Sequence, residues 1–257
     1  MKRVVLSFFK EKKVASVIKE VFEDIEDSSK IGIFKRGYLS WVIKDLNYKI
    51  EKDPKEPIYY YLRALIHNIR REYAEAKKDL KMVPINDEEF LKRASKHDLN
   101  IKKDFFIQSS ISEFNLGNYD IATEYFIKGI MGEMAGQKIL DNKDIQHYVR
   151  GFKFREIGKN EEAKKEYEKL LALSPNLNSE ALKKFSESPE KDHPAIENLI
   201  KKDFFFVNLA DIERELGNAE NAIKYYEKSL EINPQQPRAN YMIPELKAVL
   251  EQIKKYQ

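Results

Sequence analysis

One stretch of the 257-residue chain constrains its fold more than any other: residues 203 to 236, DFFFVNLADIERELGNAENAIKYYEKSLEINPQQ. Its landmarks are Ala210, Gly217, Ala222, Tyr226 and Pro234, at offsets of 7, 12, 16 and 24 residues from Ala210. The same ladder stands upstream as Gly151, Gly158, Ala163, Tyr167 and Pro175, with identical offsets. Gly217 and Gly158 suit the left-handed backbone that ends a helix at low cost. Asn218 and Asn160 follow as candidate N-caps of a second helix. Pro234 and Pro175 stop that helix, because proline lacks an amide hydrogen and clashes with the preceding turn.

The doubled ladder resembles the tetratricopeptide repeat, a helix–turn–helix unit of about 34 residues. The alternative is an ordinary helical bundle with glycine turns. The resemblance implies two closely packed antiparallel helices per unit, with Ala210 facing Ala222 and Gly151 facing Ala163 where the backbones approach. It implies an all-α fold: a right-handed superhelical array of antiparallel helix pairs with helical insertions and a C-terminal capping helix.

Further copies are degenerate. Gly37, Val42, Leu46 and Pro54 reproduce four rungs, with Lys30 at the small-residue position. Residues 1–54 are therefore expected to hold N-terminal helices, including an amphipathic one within 4–26, and a degenerate first repeat with its turn at Gly37. Residues 55–175 are expected to hold the central repeats. There Pro57 opens a helix, Ala64, Ala76 and Leu80 are rungs, and Arg71 replaces the turn glycine. Pro84 should clip the following helix, and Asn86 with Glu89 predicts an extra helix start. Ser110, Gly117, Ala122 and Phe126 mark the next unit, after which Gly132 and Gly136 weaken a continuous helix. Gly217 lies 59 residues after Gly158, so 176–202 reads as a helical insertion or joint before the last repeat and capping helix of 203–257. Pro244 is expected to delay or kink that last helix.

Composition narrows the classes of function. Charged residues make up 35% of the chain, yet the net charge is only +3 and the signs are interspersed, as in KNEEAKKEYEKL. That pattern reads as solvated helix faces and points away from a nucleic-acid groove. The absence of cysteine removes disulfides, thiolate catalysis and cysteine–zinc sites. No apolar run approaches the roughly 18 residues that a membrane span needs. Charges follow the apolar patch of MKRVVLSFFKEKKVASV too soon for a secretory signal, so a cytoplasmic location is expected, or an envelope or periplasmic one if a signal has been removed.

No catalytic constellation emerges. His67, His97, His147 and His193 share no ligand spacing, and phosphate-loop and nucleophile-elbow motifs are missing. Neither a metal, a cofactor nor a small-molecule substrate is expected, and the chain reads as non-enzymatic. The resemblance instead implies a protein ligand on the first helices, which line a concave surface in that family. Counting from each small residue, the candidate partner-binding residues are Tyr61, Leu65, Ile107, Ile111, Tyr148, Phe152, Arg155 and Asn208. One subclass grips a terminal carboxylate with lysines and asparagines. Here Tyr61, Ile107, Tyr148 and Val207 stand where its lysine would be, and Leu65, Ile111, Phe152 and Asp211 where its asparagine would be. That clamp is absent, and the surface is apolar and aromatic. The reading is an adaptor or scaffold that binds an apolar peptide or helix in the groove. The same side chains alternatively form core, because helical position alone does not separate core from groove. Self-association as a homo-oligomer, and an enzyme or nucleic-acid binder built on the insertions, remain the alternatives.

Overall fold

The computed structural model describes residues 33–95, 101–132, 136, 140–175, 177 and 201–256. The expected amphipathic helix within 4–26 lies outside the described residues, as does the joint at 176–202 but for 177, 201 and 202. Among the described residues there are eleven helices and no strand. The chain divides into two compact units, residues 1–125 and 126–257.

In the first unit, α1 spans Ile33–Lys52 without interruption. Gly37 lies inside it, so the turn expected there does not form. Leu39, Val42 and Leu46 recur at helical spacing and are buried. That stripe holds one continuous helix, and a lone exposed glycine costs about 1 kcal/mol without breaking it. α2 spans Pro57–Ile69, with proline at the first helical position, and the Glu56 carboxylate accepts from the Ile58 amide at 3.3 Å. The chain then folds back into α3, Tyr73–Leu80, which is clipped before Pro84 as expected. The extra helix α4, Glu88–Ser95, starts one residue later than Asn86 suggests. Asp87 caps it by accepting from the Phe90 amide at 3.0 Å, which puts Phe90 and Ala94 on the buried side. α5, Ile101–Asn115, leads through Gly117 into α6, Tyr119–Met131, whose residues from Phe126 onward belong to the second unit, and Gly132 follows with φ +76°. Leu46, Tyr61, Leu65, Leu80, Phe90 and Ile101 belong to one core cluster.

The second unit contains α7 (Lys143–Glu156), α8 (Asn160–Leu173), α9 (Lys202–Glu215), α10 (Ala219–Ile232) and α11 (Pro237–Tyr256). α7 packs on α8, α9 on both α8 and α10, and α10 on α11. Tyr167 and Tyr226 are wholly buried, as befits residues that fill the space between pairs. The Tyr167 ring meets Phe205 of the next pair edge-on at 4.8 Å. α11 begins at Pro237 and continues through Pro244, so the expected delay does not occur. Its Ala239 and Leu246 join Ala210, Ala222 and Tyr226 in one cluster, which is the capping role expected of it.

Four tight turns among the described residues share one hydrogen-bond pattern. Glu72, Asn118, Lys159 and Asn218 donate their amides to the carbonyls of His67, Glu113, Phe154 and Glu213, at 2.8, 2.9, 2.9 and 2.8 Å. Each residue just before the donor has positive φ: Arg71 +62°, Gly117 +85°, Gly158 +75° and Gly217 +82°. This is the Schellman C-cap, which returns orphan carbonyls to the chain. Asn160 and Asn218 make no side-chain cap. Asn160 is the first residue of α8, and the Asn218 amide turns back to donate to Glu213 at 2.8 Å.

Candidate interaction site

The eight candidate side chains separate into two groups. Tyr61, Leu65 and Tyr148 are interior, with exposures of 1%, 4% and 6%. Tyr148 stacks on Phe205 at 5.8 Å, and burial pushes its phenol well above the usual tyrosine value. For these three, the open question between groove and core resolves toward core. Ile107, Ile111, Phe152, Arg155 and Asn208 are half-buried. Phe152 lies 6.4 Å from Phe126, with the Lys153 ammonium 5.7 Å from its ring.

Asn68, another first-helix residue, is also consumed internally. Its amide donates to the Gln108 carbonyl and side chain at 3.1 and 2.9 Å, and its oxygen accepts from the Ser112 hydroxyl at 2.8 Å. It ties α2 to α5. A second recurrent tie joins neighbouring pairs in each unit. Lys77 meets buried Glu113 at 2.8 Å, and Glu113 also accepts from Asn118 at 2.6 Å. Lys164 meets buried Glu213 at 3.0 Å, and Glu213 likewise accepts from Asn218. Each lysine stands one residue after its rung alanine, a regularity visible in the sequence once the ladder is drawn.

The polar centre of the second unit is Asp211. Its Oδ1 accepts from the Tyr226 hydroxyl and from Arg238 Nε and Nη2 at 3.3 and 3.1 Å, while Oδ2 accepts from Arg155 Nη2 at 3.3 Å. Arg214 Nε lies 3.7 Å from Oδ1, too far for a good bond. Burial first, and then the bond to Asp211, push the Tyr226 phenol up to about 12. Glu215 sits beside the cluster, 3.3 Å from Arg214 and 3.9 Å from Arg155, and accepts from Asn160 at 2.7 Å. Side chains of α7, α9 and α11 thus converge on one face. Arg155 and Arg214 carry a sequence signal, each four residues after its rung, whereas Arg238 lies on a helix where Pro244 replaces the rung.

The first unit has a cleft of about 200 Å³ between Leu80 and Val83 on one side and Phe105 and Tyr125 on the other. It opens where α3 ends after 8 residues, against 14 for α8 and α10. Among the described residues, no group of histidine and acidic side chains is arranged to hold a metal, and no helix is long and apolar enough to cross a membrane. A family pattern described as the tetratricopeptide repeat matches residues 151–177 and 205–236, the two full ladders. No curated protein matches the chain.

Proposed function

For a chain that carries tetratricopeptide repeats, we propose a non-enzymatic adaptor that holds a segment of a partner polypeptide against the first helices of its second unit. The repeat supports a protein-interaction or scaffold role in general. The observation that carries the specific reading is the partly exposed set on one face of α7, α9 and α11: Phe152, Arg155, Asn208, Arg214 and Arg238. Aromatic and arginine side chains bordering a packed interior carry binding energy most often. Tyr148 and Val207 lie buried behind this face as rigid support, not as contacts. In the first unit, Ile107 and Ile111 are the half-exposed members left for a similar role.

The test is partner capture from native lysate with Phe152→Ala combined with Asn208→Ala. Melting should change little, because neither side chain is fully buried, while captured polypeptides should be lost. A variant that melts normally and retains every polypeptide would refute the reading. Self-association is the second reading, favoured by Tyr241, Val249, Ile253 and Tyr256 standing exposed along α11. Light scattering across concentration decides it, since a constant monomer mass excludes it.

A further inference from the structure

We infer that the C-terminal half of α11 is a contact between two copies of this chain, which pair there antiparallel about a two-fold axis at Glu251. The inference goes beyond the adaptor reading; it rests on the self-association reading and names its surface and geometry.

α11 carries one apolar stripe along its whole length. Ala239, Met242, Leu246, Val249, Ile253 and Tyr256 follow one another at alternating steps of three and four residues. That spacing keeps a seam on one side of a helix. The fold covers only its first half. Ala239, Met242 and Leu246 pack with the cluster of Ala222 and Tyr226. Val249 and Ile253 are each 47% exposed, and Tyr256 is 91% exposed. The reason is length. α10 has 14 residues and α11 has 20, so α11, folding back along α10, outlasts it by six residues or about 9 Å. Residues 251–256 are all exposed. The same seam that α10 covers is thus open to water where α10 has ended, and an open apolar seam marks a contact surface.

The occupant is a second copy, because the seam is complementary to itself when reversed. About a two-fold axis at residue 251, Val249 meets Ile253 of the second copy, and Tyr256 reaches the rim of its Leu246. Charge selects this direction. Glu245, Lys254 and Lys255 make no ion pair among the described residues. Reversal carries the Lys254 and Lys255 end of one copy to Glu245 of the other and to its Glu227, which holds Lys247 at 3.1 Å. A parallel pair would set lysines against lysines, which is repulsive. The contact is small, so the dimer belongs to the weak class, with Kd of about 10–100 μM.

The experiment is sedimentation velocity on the purified full chain from about 1 to 500 μM, a range that brackets this Kd. Twice the monomer mass should be approached at the upper end. Ile253→Asp should weaken the dimer by about tenfold or more and leave melting unchanged, because Ile253 lies outside the buried cluster. Lys254→Glu combined with Lys255→Glu should weaken it several-fold at low salt. The chain has no cysteine, so an introduced thiol is unique. Gln252→Cys stands next to the axis and should give a covalent dimer with a short bismaleimide. Tyr241→Cys should not, because ten residues from the axis place it about 30 Å from its counterpart. A constant monomer mass would overturn the inference and the self-association reading together. A dimer unmoved by Ile253→Asp would refute this contact and leave self-association through another face. Crosslinking at Tyr241→Cys as readily as at Gln252→Cys, or a dimer indifferent to the lysine variant, would refute the antiparallel arrangement. Should Ile253→Asp melt early, the two crosslinks decide, since both leave the seam intact.

Discussion

Gly151→Ala puts a methyl group where the Tyr167 ring already lies. A Cβ built at residue 151 falls 2.4 Å from both Cδ1 and Cε1 of that ring and 3.1 Å from Cγ. Carbon atoms normally settle about 3.5–4.0 Å apart, so the overlap exceeds about 1 Å. The ring has little room to yield. Tyr167 is 1% exposed, 4.8 Å from Phe205 and 6.4 Å from Tyr148. Overpacking of this kind costs about 1–3 kcal/mol. The same substitution gains about 1 kcal/mol of helix propensity. Gly37 supplies the comparison, because it is helical, exposed and has nothing within 4 Å of an added Cβ. Gly37→Ala should therefore stabilise by about 0.5–1 kcal/mol, and Gly151→Ala should destabilise by up to about 2 kcal/mol. Denaturant unfolding followed by circular dichroism gives both values, and hydrogen exchange assigns the change to α7 and α8. Combining Gly151→Ala with Tyr167→Leu should recover about 1 kcal/mol or more as coupling energy. A Gly151→Ala protein stabilised as much as Gly37→Ala, or a coupling near zero, refutes the close-approach argument.

Ala222→Asp buries an unpaired charge at a wholly buried position and should destabilise the second unit by about 3–5 kcal/mol, read by thermal melting. Exposed Lys224→Asp should stay within about 0.5 kcal/mol. Arg71→Gly relieves a left-handed residue at φ +62° and should raise stability by about 0.5–1 kcal/mol, where a loss would show that the turn is not strained. Burial pushes the Glu166 carboxyl up, but bonds from His147 at 2.7 Å and Lys169 at 2.6 Å outweigh it and hold the group below its ordinary 4.5. Its stabilising contribution is thus present above pH 4.5 and lost as the pH falls through the depressed value. Glu166→Gln should flatten that acid limb, and an unchanged pH profile of unfolding would remove Glu166 as its cause.

The turns were legible in the sequence because a C-cap closes within a few residues. Positions 71, 117, 158 and 217 all adopt positive φ, even where arginine replaces glycine, since the two bonds of the cap involve only neighbouring backbone. The small-residue rungs were legible for a related reason. Ala64, Ala76, Ala122, Ala163, Ala210 and Ala222 are all fully buried, because two helices joined by so short a turn have one way to approach. What a first-helix side chain faces was not legible. Tyr148 and Phe152 sit one turn apart on α7, yet Tyr148 is covered by Phe205 and Phe152 is not fully covered. Gly37 read as a turn by spacing and is helical because its neighbours form a buried stripe. The cluster on Asp211 joins Arg155, 56 residues before it, to Arg238, 27 residues after it. No local rule spans such separations. The packing of α7, α9 and α11 brings those charges within bonding distance, so the tertiary structure alone makes Asp211 the centre of the face.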